Sequence, residues 1–514
     1  MAQSRIANSF KNMIYTFGVK LISFAAAFVL RTVFIYVLGM EYVGVSGLFT
    51  SVLSVLSFAE LGISTAMTYA LYGPIAQEDT RKINQLMHFY KLAYRFVAGT
   101  VLAAGTVCIP FLPLIIKGVP DIHESITVIY IFYLINTASS YLLIYKSTLL
   151  TASQKNYEIS KVTIRISVVK CVIESIFLVI FRNFMLYLCI EIFLNIFQNI
   201  LISRRAVKTY PAVFEKSEER LDKDEIKKLF KDIRALFLYK VSGVVLDGTD
   251  NIIVSAFLGT GYVAVLSNYN MIIKNLYNLI LQVFQSTSAG VGNLAATEGA
   301  KKQHHIFNVL LFLSFWLFGF CVVELYININ DFIGIWTGAA HTFPAATVIV
   351  LITDFYLTGM MSAVSYFRTS NGLFVQGKYR PLIMSLINLV LSVLFVQKIG
   401  VTGVLLGTVL SRLSTQFWFD AYLIYNHVFK ETIKEYLKKM TVYTGTIVII
   451  CCICGMCSKI FDTGITVLNF GVNIVIVAVI YNAVCFLLFR KTSEFEYLKN
   501  IGYSLGKNLK KKIM

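Results

Sequence analysis

Eleven lysines and arginines lie inside long apolar runs of this 514-residue chain. A charge at the centre of a bilayer costs at least ~2.5–3.5 kcal/mol on insertion scales, so each needs a partner or a task. Lys20 and Arg31 are spaced so that a helix returns them to within about 20° of one face, about 16 Å apart along the axis. Phe24, Ala27 and Phe28 lie between them on that face. Lys240 and Asp247 also share a face, with Asp250 adjoining, while Asn270, Lys274, Asn278 and Gln285 fall within one arc of about 80°. Glu60 lies deep in its own apolar run. The cations could hold a diphosphate in a low-dielectric cavity, and the amides could take sugar hydroxyls. Asp247 or Asp250 could load and release a proton, or the pair could bind Na+ together with Asn251, and Glu60 is a further ion-coupling candidate. Pairing between helices, such as Arg31 with Glu60 or Lys274 with Asp247, is the structural alternative. Lys170 and Glu174, one turn apart, are expected to pair with each other. Lys91, Arg95, Lys146, Arg165 and Arg368 lie near span ends and can snorkel.

The elements that must position these residues are membrane spans. The chain is 57% apolar and only 14% charged, against about 25% charged in an ordinary soluble chain. That excludes disorder, collagen-like repeats and a small disulfide scaffold, and it assigns the net charge of +18 to a membrane rather than to nucleic acid. About 20 apolar residues span a bilayer core. Fourteen such runs are expected, at 13–38, 45–72, 88–116, 124–150, 161–181, 184–207, 235–258, 263–288, 306–328, 344–370, 382–398, 401–427, 441–459 and 465–489. Pro74, Pro120, Pro211, Pro344 and Pro381 are expected in loops or first helical turns. The first run is too long for a cleaved signal peptide and contains Lys20 and Arg31. With both termini inside, the cytoplasmic segments hold 31 Lys and Arg and the outer loops four, which orients the chain N-in, C-in.

The chain also repeats itself at a separation of about 220 residues. Leu38-Gly39 followed by Tyr42-Val43 recurs as Leu258-Gly259 followed by Tyr262-Val263; Ile115 and Gly118 recur as Ile335 and Gly338. Six helices per unit keep both halves in one orientation, a parallel repeat about the membrane normal, as in transporters whose two lobes rock about a central site. The expected organisation is an N-lobe over 1–210, a linker over 211–234, a C-lobe over 235–430, and two further helices with a basic tail over 431–514. The linker places Ile226, Leu229, Phe230, Ile233 and Phe237 at helical spacing against lysines, the pattern of an amphipathic helix on the inner leaflet. The tail lysines Lys507, Lys510, Lys511 and Lys512 suit anionic lipid.

Other chemistry is thin. Cys451, Cys452, Cys454 and Cys457 lie in an apolar run without a His or carboxylate beside them, so they read as packing residues. The six histidines show no metal-ligand spacing, and no GKS/T loop offers a nucleotide site. No cofactor or metal is expected.

Several stretches resemble a known family: Phe58 through Ala66 continuing to Leu71–Ala76, Asp250 through Gly259, Ser267–Tyr269, Gly292–Leu294, and Gly400 through Ser411. Together they resemble the polysaccharide-transport branch of the multidrug/oligosaccharidyl-lipid/polysaccharide (MOP) exporter superfamily, the Wzx-type flippases. Gly73 departs from that pattern, standing where relatives often carry a basic residue. The resemblance implies an all-α polytopic membrane protein, with two pseudo-symmetric six-helix lobes and two C-terminal helices, in the bacterial cytoplasmic membrane. It implies movement of a polyprenyl-pyrophosphate-linked oligosaccharide to the outer leaflet for capsule, O-antigen or exopolysaccharide assembly, with a polysaccharide polymerase as a partner. It supplies no short catalytic motif. A cation-coupled multidrug exporter of the same superfamily is the alternative, although it would want an acidic cavity and the spans hold eleven basic against eight acidic residues. A membrane polymerase is a third reading; such enzymes usually carry a long outer loop, and the longest here is only about fifteen residues.

Overall fold

Lipid offers the backbone no hydrogen bonds, so a spanning chain must satisfy its own, and an apolar run becomes a helix. A computed structural model describes the backbone of residues 2–60, 63–118, 120–214, 221–297, 299–371, 373, 376–377, 379–500 and 503, and of these the side chains except 2–16, 58–59, 228, 231–232, 234–247 and 285–297. Helices occupy all the expected runs, and no strand occurs among the described residues. They are α1 (Ala2–Leu38), α2 (Met40–Leu56), α3 (Ile63–Ala76), α4 (Thr80–Cys108), α5 (Leu112–Ile115), α6 (Ile126–Ala152), α7 (Asn156–Phe181) and α8 (Phe184–Thr209). There follow α9 (Lys223–Leu258), α10 (Thr260–Thr297), α11 (Ala300–Thr337), α12 (Ala345–Ser370), α13 (Arg380–Ser414), α14 (Gln416–Ile424), α15 (Lys434–Ile460) and α16 (Thr466–Phe489). Among the described residues, nine helical segments are long and apolar enough to cross a membrane, with α2 as a shorter apolar helix.

The repeat is written into the backbone. Gly39 and Gly259 both adopt positive φ, 99° and 106°, where α1 gives way to α2 and α9 to α10. Gly118 and Gly338 match again, at 79° and 95°. A side chain would be strained at each, which is why glycine recurs at this spacing.

Three details differ from the sequence reading. The second span is not one helix: Ser57–Glu60 forms a 3₁₀ turn between α2 and α3, so Glu60 sits at a break rather than within a helix. Pro74 lies inside α3, in its last turn, where the N–H it lacks would have served only the carbonyl of Ala70. The amphipathic segment is no separate surface helix, because α9 runs unbroken from Lys223 into the seventh span. Nothing between the two parts stops a helix, and the apolar face is partly met by protein. Leu229 is buried, the Phe230 ring lies 6.1 Å from that of Phe89 on α4, and Glu225 pairs with Lys82.

The helices group into two compact units, Met1–Ser267 with Ser392–Val404, and Asn268–Leu391 with Leu405–Met514. In the first, α1 lies along α7, α6 packs on α4 and α8, and α9 packs on α2. Small residues bring α2 close to α9 and to the start of α10: a Cβ at Gly248 of α9 would meet the Val55 side chain at 2.7 Å, and one at Gly44 would collide with the carbonyl of Thr260, the first residue of α10. In the second, α11 is enclosed by α12, α15 and α16. Its centre is aromatic, with Phe315 stacked on Tyr443 at 4.4 Å and the Tyr481 hydroxyl donating to the Phe315 carbonyl at 2.9 Å.

Candidate functional site

In the first unit, α1 carries Lys20 and Arg31, both half-buried. Its grip on α7 includes a hydroxyl contact between Ser23 and Ser167 at 3.2 Å. The Phe24 and Phe28 rings, 6.4 Å apart, occupy the face between the two cations. The Arg31 guanidinium lies within electrostatic reach of the phenols of Tyr133 on α6 and Tyr187 on α8. Tyr187 is braced in turn by Phe34 and Phe184, at 5.3 and 6.0 Å. Among the described residues no carboxylate comes within 4 Å of Arg31 or of Lys20.

Glu60 is not the partner of Arg31. Its carboxylate accepts from the Tyr94 hydroxyl at 3.0 Å, in a chain that continues through Tyr90 to Thr148. The expected Lys170–Glu174 pair is present at 3.8 Å, but Lys170 lies closer to Glu191, at 3.4 Å, and donates to Asn195 at 3.1 Å. Asn195 bonds onward to Asn136 at 3.0 Å. One ammonium thus serves two carboxylates, and sequence spacing revealed only the nearer in the chain. Asp250 is half-buried on α9, beside Asn251, which donates to Ser51 on α2 at 2.9 Å. Lys240 and Asp247 are helical in backbone, but their side chains lie outside the described residues.

In the second unit, α10 carries Asn270 and Asn278 half-buried and Lys274 exposed; the side chain of Gln285 lies outside the described residues. Three groupings here were invisible to spacing. Arg412 meets Asp354 at 2.6 Å, an ion pair off the hydrogen-bond axis, and Asp420 binds both Arg368 and Arg380. His304 is also gathered with Glu431 and Glu435 from distant segments, at 3.1 and 3.5 Å. Its two ring nitrogens face different carboxylates, the arrangement of a polar clip.

The cations described above therefore divide into two kinds. Lys170, Arg368, Arg380 and Arg412 have carboxylates, whereas Lys20 and Arg31 on α1 have none among the described residues.

No protein-family model and no curated protein matches the chain. Solved structures do. The lipid II flippase MurJ, in an inward closed conformation, superposes with a TM-score of 0.66 over 93% of this chain and 98% of that one, at 17% identity. This chain has the fold of the MOP transporters. An inward-facing multidrug resistance MATE family transporter of the MOP superfamily gives 0.56 over 78% of this chain and 95% of that one, at 12% identity. The MATE transporter VcmN of Vibrio cholerae gives 0.59 over 84% of this chain and 100% of that one, at 11% identity. The MOP fold with this run of apolar helices makes the chain a multi-pass membrane protein of transporter architecture.

Proposed function

We propose that this chain moves a polyprenyl-pyrophosphate-linked oligosaccharide from the inner to the outer leaflet of the bacterial cytoplasmic membrane, by alternating access, with both termini cytoplasmic. The observation that carries the reading is the pair of α1 cations without carboxylates among the described residues. A half-buried guanidinium with no carboxylate within 4 Å among the described residues is the group a diphosphate needs, because the low dielectric strengthens their attraction. Lys20, about 16 Å away on the same face, offers a second contact along the path. Likeness to a protein named as a lipid II flippase supports the reading at the level of fold. A multidrug exporter shares that fold, but the excess of basic over acidic residues in the spans disfavours a cationic cargo. Lys240, Asn270, Lys274, Asn278 and Gln285 are proposed to complete the substrate path. Glu60, Asp247 and Asp250 are proposed to couple it to H+ or Na+.

The test is glycan export in cells that depend on this chain. Arg31→Glu should abolish export, with lipid-linked glycan accumulating on the inner leaflet, while Arg31→Lys retains it at equal protein level. Full export by Arg31→Glu at normal level would sink the assignment.

A further inference from the structure

A cavity of about 400 Å³ lies within the second unit, lined by α10, α12 and the junction of α13 with α14. Its volume falls in the range of about 300–1,000 Å³ typical of small-molecule sites. The lining is rich in hydroxyls, from Tyr277, Ser362, Ser365, Tyr366 and Thr369, with the Gln416 amide and the Arg412 guanidinium beside them.

Three features say what fits. The first is charge. Asp354 already matches Arg412 at 2.6 Å, so this pair adds no net positive charge and gives a free anion little reason to enter. The second is hydrogen bonding. Hydroxyls and a carboxamide both donate and accept, as sugar hydroxyls require. The Thr358 hydroxyl, on the same wall, is buried without a hydrogen-bond partner among the described residues, so a ligand hydroxyl reaching it would satisfy a group the protein leaves unmet. The third is the aromatic frame. The Tyr277 ring lies 5.8 Å from Phe318, and the Tyr366 ring is stacked 6.3 Å from Phe284. Lining rings fixed in this way are the kind of surface on which the C–H face of a pyranose stacks.

We propose that this cavity binds an uncharged sugar residue, as a subsite separate from the α1 cations. The proposal rests on the glycolipid reading above, and it adds where the glycan is held.

The experiment uses the full chain in nanodiscs, because a maltoside detergent would present its own sugar. Saturation-transfer NMR with glucose, galactose, mannose, N-acetylglucosamine and N-acetylgalactosamine reports the cavity. Broadening of the ³¹P line of inorganic pyrophosphate reports the cationic site. At least one sugar should receive saturation. Gln416→Leu and Tyr366→Leu, checked for unchanged thermal unfolding, should each weaken that binding about tenfold, the loss of one or more well-placed contacts, with pyrophosphate broadening unchanged. No saturation of any sugar, or saturation indifferent to both substitutions, overturns the proposal. If the sugars bind as expected and pyrophosphate binds neither the parent nor any variant, the subsite stands and the glycolipid reading falls.

Discussion

Asp420 is the residue whose neutralisation should cost the second unit most. It is 2% exposed and lies between Arg368 Nη1 at 2.7 Å and Arg380 Nη2 at 3.1 Å. Arg368 also donates from Nε to the Leu373 carbonyl at 3.0 Å and from Nη2 to the Gln376 carbonyl at 2.8 Å, so the same guanidinium closes the turn between α12 and α13. Asp420→Asn leaves two buried cations facing a neutral amide. Breaking a buried pair in this way costs ~3–5 kcal/mol, because the orphaned charge keeps its full desolvation penalty. Burial, not distance, sets that figure. Asp224 and Lys227 also pair, at 3.3 Å, but both are more than three-quarters exposed, and such a pair is worth ~0–1 kcal/mol. Thermal unfolding of detergent-purified protein, followed by fluorescence-detected size exclusion, should therefore separate Asp420→Asn widely from Asp224→Asn. Adding Arg368→Gln to Asp420→Asn should cost less than the two single changes together, since it removes an orphaned cation. If Asp420→Asn unfolds with Asp224→Asn, or if the double change is simply additive, the triad does not act as one charge-balanced unit.

The close approach of α2 and the start of α10 makes a second prediction. An added Cβ at Gly44 meets the backbone carbonyl of Thr260, which cannot turn away, whereas at Gly47 it meets the Ser267 hydroxyl at 2.5 Å, which can rotate. Gly44→Ala should destabilise by about 1–3 kcal/mol and Gly47→Ala by less than about 1; equal losses in thermal unfolding would contradict the geometry. A third concerns pH. Burial raises the Glu158 carboxyl, but hydrogen bonds from Arg205 at 2.6 Å and Lys161 at 3.2 Å more than offset this and hold it below the usual carboxylate range. A depressed folded value means stabilisation that is complete above the unfolded value of about 4.3 and lost as pH falls through the folded one. Glu158→Gln should therefore be less stable than the parent at neutral pH, the gap closing below about pH 4. A gap that persists unchanged into that range would refute the assignment.

The spans were legible because lipid leaves a backbone one economical solution, and apolar composition alone marks where it applies. Gly39 and Gly259 were legible for a related reason: positive φ admits few other residues, so recurrence at the repeat distance carried real information. The break at Ser57–Glu60 was not. Hydrophobicity runs straight through it, and only Glu60 marks the place. The continuity of α9 was hidden for the opposite reason. Charged composition looked like a linker, yet a helix needs no apolar residues to continue, only the lack of a stop.

At the level of sites, periodicity told which residues share a face of their own helix and nothing about what a neighbouring helix brings. Arg31 and Arg412 look alike in sequence, each an arginine deep in an apolar run. Packing sets Asp354 beside Arg412, whereas among the described residues no carboxylate comes within 4 Å of Arg31. Lys170 makes the same point from the other side. Helical spacing gave it Glu174, and α8 added Glu191 and Asn195, so a residue that could have bound an anion is already occupied. The task of an embedded cation is thus decided by subtraction. Where an acid arrives from another helix, as at Arg412 and Lys170, the charge is paired within the fold; where none arrives among the described residues, as at Arg31, the charge is left for the anionic ligand proposed above.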